Sequence, residues 1–322
     1  MDFVTFPSMS RGDLRAMRIA IDGAFRDFTR AYGETLEQLF QPIQVLLIFI
    51  ENLLIDSPWI LVLAAIGGLV WGLSRSWKIV GGTVVALLLI GFFGMWEDTM
   101  RTIAMVTVCT LIAVVIGIPI GILMARSERT NASVTPILDM MQTMPSFVYL
   151  IPVVMIFGLG KVPGVIAVVI YAVPPVIRLT NLGIRQVPAD VLEAAEAFGS
   201  NPRQKLQDVQ LPLALPTIMA GVALVLMETL AEFGAVDYCA VDTFSTGIYR
   251  TWVTRGSLVA ASQLSVCLLA AVMMLILLET SSRRAARFHH ATQRTQRPVA
   301  TRLPWLWGIA AACSCSIPVL AG

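Results

Sequence analysis

Two carboxylates, Glu228 and Glu232, stand four residues apart inside an apolar run at 213–236, a spacing that puts both on one face of a helix. Ionisable groups at membrane depth are costly and usually face a cavity or a partner. The pair therefore reads in one of two ways. It lines a translocation path that favours a cation, or it sits hydrated near the outer interface beside Asp237 and Asp242. Phe147 and Tyr149 offer aromatic faces that could attract a cation by cation–π interaction. Pro145, Pro152, Pro174 and Pro175 each remove a backbone donor. Broken helices often border a transporter's path, although proline also serves packing in membrane helices. Phe147, Tyr149, Pro152, Glu228 and Glu232 form the candidate path set.

Other chemistry finds little support. Cys109, Cys239, Cys267, Cys313 and Cys315 lie mostly in apolar stretches, form no CxxC pair, and read as small packing residues. His289 and His290 fall in an Arg-rich stretch, and no Ser-His-Asp or Cys-His arrangement presents itself. No GxxxxGK[ST] phosphate loop occurs. No catalytic residue, metal site or cofactor is expected, and a membrane-embedded enzyme is the weakest of the readings.

The elements that must hold these residues follow from composition. The 322 residues are 57% hydrophobic and 14% charged, against about 25% charged in a soluble domain. A net charge of +2 gives no reason to expect nucleic acid. Apolar runs at 43–55, 59–73, 79–95, 102–125, 146–157, 162–177, 213–236 and 258–279 predict an all-α, polytopic membrane bundle. The run at 43–55 is short and carries Glu51 and Asn52, which suits a re-entrant or interfacial segment. Before it, Leu14, Met17, Ile21, Phe25, Phe28, Tyr32, Leu36 and Leu39 recur at spacings of three and four. They predict an amphipathic helix over 13–40, lying on the membrane or packed on the subunit's own extramembrane face. The first forty residues lack the apolar core and cleavage site of a signal peptide. Four predicted organisational parts result: 1–57 amphipathic or interfacial, 58–279 membrane-spanning, 280–304 a basic linker, and 305–322 a shortened apolar segment. Lys and Arg concentrate in 74–78, 126–144, 178–211 and 280–304. With those four facing the cytoplasm, every intervening run crosses once.

The segment 178–212 is the most informative. Asp190 is placed to cap a short helix, with Glu193 three residues on to close a capping box. Gly199 suits the left-handed residue that ends it. Asn201 can cap a second helix with Pro202 first and Gln204 third, and Leu211-Pro212 should end that helix and begin the next span. Ala194 and Ala195 leave little bulk, so another protein could approach closely. The prediction is a stiff helix-turn-helix at the membrane face.

Glu193-Ala194-Ala195, Gly199, then Val209-Gln210-Leu211-Pro212 resembles the EAA loop of binding-protein-dependent ABC importer permeases. That resemblance implies an inner-membrane transport subunit. It also implies a separate cytoplasmic ATPase docked on this loop, an extracytoplasmic substrate-binding protein and a permease homodimer. The segments Gly94–Thr102 and 137–188 are similar to the glycine betaine, choline and proline betaine permeases, a likeness covering about 1–222. After Ala220-Gly221, the run LMETLAEFGAVDYCAVDTFSTGIYRTW and the basic linker resemble ferric-iron importer permeases. The two likenesses together imply a hybrid or truncated fusion. Its expected activity is uptake of a quaternary-amine solute, with iron uptake or no transport as alternatives.

Overall fold

The computed structural model describes residues 10–286, and every element among them is helical. The linker beyond Ala286, the segment 305–322, His289, His290, Cys313 and Cys315 lie outside the described residues. Residues 10–285 fall in one compact unit. The helical run breaks at Ser57 and Pro58 inside this unit.

Helix α1, Arg11–Asp56, joins the amphipathic stretch and the 43–55 run into one helix of 46 residues. Ser10 caps it by accepting from the Asp13 amide at 3.2 Å. Pro42 lies inside it, yet the helix continues. Leu47 and Glu51 are its buried residues, both in the second half. Leu14, Met17, Ile21, Phe28, Tyr32 and Leu39 of the predicted stripe are exposed, so the chain's own extramembrane face does not cover them.

Helices α2 (Trp59–Ser74) and α3 (Trp77–Phe92) form a hairpin, each of 16 residues. At 1.5 Å per residue each covers about 24 Å, less than the hydrocarbon core of about 30 Å. Helix α4 (Trp96–Arg126) and helix α7 (Lys161–Arg185) are long enough to cross, as are the 30 residues Pro202–Ala231 and Leu258–Leu277 of α13 (Leu258–Ala286).

Two predicted features are corrected here. The 126–144 loop is largely helix α5, Glu128–Thr143, capped by Ser127. It meets α6, Ser146–Phe157, at a bend of 89°. Helix α6 has 12 residues, only about 18 Å; it and α7 are therefore not a simple pair of crossings. The 213–236 run also breaks: α10, Leu211–Ala231, gives way to short α11, Gly234–Tyr238, and then α12, Phe244–Val253.

The core lies where α4, α7 and α10 meet. Ala104, Val108, Cys109, Ala113, Ala167, Ala172 and Val176 are all inaccessible. Within lipid there is no apolar driving force for helix association, so close packing through small residues must supply it. The Gly117-Ile-Pro-Ile-Gly121 stretch of α4 does this. A methyl added at Gly121 would fall 2.6 Å from Thr180 Cβ, and one at Gly117 would fall 2.8 Å from Val176 Cγ1. Only glycine allows α4 and α7 this approach.

Candidate functional site

The segment after α7 folds as a braced projection. Helix α8, Ala189–Ala197, follows Pro188, and no side chain caps it. Asp190 lies in the first turn instead of at the cap, where its charge still complements the helix dipole. The predicted capping role of Asp190 and its box with Glu193 are therefore corrected. Pro188 occupies the boundary and moves the helix start two residues early. The C-terminal end is as expected. Gly199 has φ +81°, and Ser200 N–H donates to Ala195 O at 3.0 Å while Gly199 N–H donates to Glu196 O at 2.9 Å. These paired bonds are a Schellman closure.

Asn201 caps the next helix reciprocally. Its Oδ1 accepts from the Gln204 amide at 2.9 Å, and Gln204 Oε1 accepts from the Asn201 amide at 3.0 Å. Helix α9, Pro202–Gln204, passes into a π-helical turn over Lys205–Gln210 and directly into α10. The expectation that Leu211-Pro212 ends a helix is thus corrected. Pro212 lacks an amide donor and its ring crowds the preceding turn. The wider turn just before it, where Leu211 N–H reaches Leu206 O, accommodates that loss without a break.

The projection is exposed above and anchored below. Glu193 and Ala194 are exposed, Ala195 is half-buried, and Phe198 is 91% exposed. Val209 is half-buried and Pro212 exposed, whereas Leu206 and Leu211 pack on Ile184, Ala214 and Ile218. An ion pair joins Lys205 to Glu196 across the turn. At the root, Arg185 donates to Met124 O at 2.9 Å and pairs with Glu128 at 2.5 Å. The C-terminal ends of α4 and α7 therefore share this end of the bundle.

The candidate path residues divide. Phe147 and Glu232 flank Gly234, where an added methyl would lie 3.5 Å from the Phe147 ring and 3.7 Å from Glu232 Oε1. Phe147 meets the Tyr238 ring edge-on at 5.9 Å. Tyr149 and the partly buried Tyr171 lie within electrostatic reach of the Glu232 carboxylate. Glu232 stands just past the end of α10 with φ −66° and ψ 130°, and its Oε1 accepts from the Ala235 amide at 2.9 Å. It therefore does not share a helix face with Glu228, which remains on α10 and is exposed. That predicted pairing is corrected, because the helix ends between the two. Pro152 is exposed on α6 and stands apart.

At the N-terminal ends of α4 and α7, opposite the projection, a charge cluster ties the bundle together. Glu51 of α1 is only 7% exposed. It takes Lys161 at 2.6 Å and Arg101 at 3.5 Å. Arg101 also meets Glu97 at 3.4 Å, Asp98 at 3.6 Å and Asp242 at 3.3 Å. Arg250 pairs with Asp242 in turn.

Residues 117–294 match the family described as binding-protein-dependent transport system inner membrane component. The chain belongs to this family. As a member it is a multi-pass inner-membrane protein with a role in transport. It is 48% identical over 214 residues to the glycine betaine/proline betaine transport system permease protein ProW of Escherichia coli (strain K12), covering 65% of this chain and 59% of that one. It is 48% identical over 194 residues to the glycine betaine/carnitine transport permease protein GbuB of Listeria monocytogenes serotype 1/2a (strain 10403S), covering 60% and 69%. The chain thus spans less than two thirds of the length of the Escherichia coli relative. Its fold is also similar to the MetNI methionine ABC transporter in inward-facing conformations, with a TM-score of 0.50, 20% identity, and 58% and 91% of the two chains covered.

Two features of this inner membrane component escaped the sequence reading. Phe198 gave little signal, since an aromatic residue at a helix end packs as often as it projects, and its exposure follows from the fold. The charge cluster around Arg101 had almost none, because Glu51, Arg101, Lys161 and Asp242 are far apart in sequence and meet only in the folded bundle.

Proposed function

We propose that this chain is the membrane-spanning subunit of an ATP-binding-cassette importer for a quaternary-amine compatible solute such as glycine betaine, proline betaine or choline. It works as a homodimer, with a separate cytoplasmic ATPase and an extracytoplasmic binding protein as partners, in the orientation that places the basic segments in the cytoplasm. The membrane domain is 58–279, together with the second half of α1. Glu193, Ala194, Ala195 and Gly199 form the docking surface for the ATPase, and Phe198 is the side chain that enters its cleft.

The observation that carries this reading is the closed, exposed projection over Ala189–Gln204, rooted in α7 and α10. A push on α8 moves these helices as one body, since each end of α8 is fixed and Lys205 ties its turn to the next helix. The aromatic group Phe147, Tyr149 and Tyr238 beside Glu232 supports the solute class. It offers π faces and one carboxylate to a cation whose methyl groups accept no hydrogen bonds. The 48% identity to permeases named for glycine betaine supports the same class.

The test is uptake of labelled glycine betaine and choline in cells without their own carriers, with ferric ion in parallel. The chain is co-expressed with a betaine-type ATPase and binding protein. ATP-dependent betaine or choline uptake is expected. Iron uptake alone, or no uptake by a chain shown to reach the membrane, overturns the reading.

A further inference from the structure

Between the α2–α3 hairpin and the α4–α10 core lies a cavity of about 360 Å³, closed on its far side by α13. Ile66 and Val70 of α2, Leu87 and Ile90 of α3, Val106 of α4 and Ala271 of α13 are among its walls. Four threonines also line it, but none offers a free hydroxyl. Thr83, Thr99, Thr102 and Thr107 each donate to the carbonyl one turn back, at 3.0, 2.7, 2.6 and 2.6 Å. Their methyl groups complete an apolar wall, and nothing in it would hold a charged solute.

One end of the hairpin carries the opposite chemistry. Arg75 at the α2–α3 turn stacks over Trp71 at 5.5 Å, and the Trp71 and Trp77 rings lie 5.9 Å apart. Lys78 follows in the first turn of α3. Among the described residues neither Arg75 nor Lys78 forms an ion pair, although other cations of this chain do. Tryptophans beside cations are the residues that settle at the headgroup level of a bilayer. From Lys78 to Ile90, helix α3 rises about 18 Å, against about 15 Å for the hydrocarbon of one leaflet.

We infer that this cavity is a binding site for a membrane phospholipid with an anionic headgroup, its phosphate at Arg75 and Lys78 and one acyl chain running up α3. A second groove of about 400 Å³ follows the same hairpin past Gly67, Gly68, Trp71 and Trp77, giving room for the other chain. The lipid belongs to the leaflet on the side of α8, since α3 returns to the N-terminal end of α4 through Gly94. It fills the space between α13 and α4 that no side chain among the described residues fills.

The test is native mass spectrometry of the full chain after exchange into phosphatidylglycerol or phosphatidylcholine vesicles and gentle detergent release. One retained phosphatidylglycerol is expected, held roughly tenfold better than phosphatidylcholine. The surface variant Arg75→Gln/Lys78→Gln should lose that preference. Ala86→Phe/Ala271→Phe, which fills the cavity, should lose the adduct while eluting as a single species of unchanged helicity. Equal retention of both lipids by the native chain overturns the inference. So does a full adduct in the filled variant, or a filled variant that shifts only in oligomeric mass, which would make a second copy the occupant. If the filled variant does not fold, the headgroup variant alone decides.

Discussion

Arg185, the last residue of α7, donates to the Met124 carbonyl near the end of α4 at 2.9 Å. The same guanidinium takes Asn181 Oδ1 at 2.8 Å and Glu128 at 2.5 Å. The root of the α8 projection is thereby fastened to the neighbouring spanning helix, and not to α7 alone. Arg185→Met removes all three bonds and keeps the apolar stem. A loss of about 1–2 kcal/mol is expected, within the range for bonds to a charged group at a partly exposed site. If the projection transmits the ATPase stroke, uptake should fall more than ATP hydrolysis; equal falls in both would leave Arg185 a purely structural residue.

Gly199 supplies the left-handed turn at φ +81°. Among the described residues an added Cβ there meets no atom within 4 Å, so a substitution tests backbone strain more than packing. Gly199→Val should cost about 1–2 kcal/mol, loosen the Schellman closure and lower ATP-dependent uptake. Gly199→Asn should be milder, because asparagine tolerates that conformation. Normal uptake by the valine variant would falsify the rigid-projection account.

Gly121 is the point of closest approach between α4 and α7. Gly121→Leu must push Thr180 and the Ile177 carbonyl aside, since even a Cβ would come within 2.6 and 2.8 Å of them. Overpacking of this kind costs at least about 1–3 kcal/mol. A lower thermal midpoint in detergent and poor membrane yield are expected; an unchanged midpoint would show that the two helices can separate freely.

Glu51 anchors the charge cluster from α1. Glu51→Ala leaves Lys161 and Arg101 without their buried partner. Removing one member of a buried pair costs about 3–5 kcal/mol. Lys161 and Arg101 are 39% and 30% exposed, so the cost should fall below that range. The native protein should lose stability with added salt more steeply than the variant, as measured by melting at low and high ionic strength.

Glu232 and Glu228 should behave differently despite their spacing. Glu232→Gln keeps the shape but removes the charge beside Phe147 and Tyr149, and betaine uptake should drop several-fold at constant expression. Glu228→Gln, on the exposed face of α10, should leave uptake within a factor of two. Equal effects would return the two residues to a common wall.

The sequence alone settled a great deal here, for reasons that are local. Composition excluded a soluble fold, and the fixed spacing from Glu193 to Pro212 marked the projection and the family. The Asn201-Pro202-Gln204 cap and the Gly199 turn were legible because capping and left-handed backbone are decided within a few residues. Asp190 was misread as a cap because Pro188 competes for the same boundary. What required tertiary structure was non-local or depended on where a helix stops. The break after Ala231 separated Glu228 from Glu232, and no periodicity announces it. The bend between α5 and α6, the union of Glu51 with Arg101 and Lys161, and the meeting of Gly121 with Thr180 all depend on which helices lie side by side. That choice is made by close packing across the bundle, where each helix face is as apolar as the next and the sequence of any one helix does not name its neighbour.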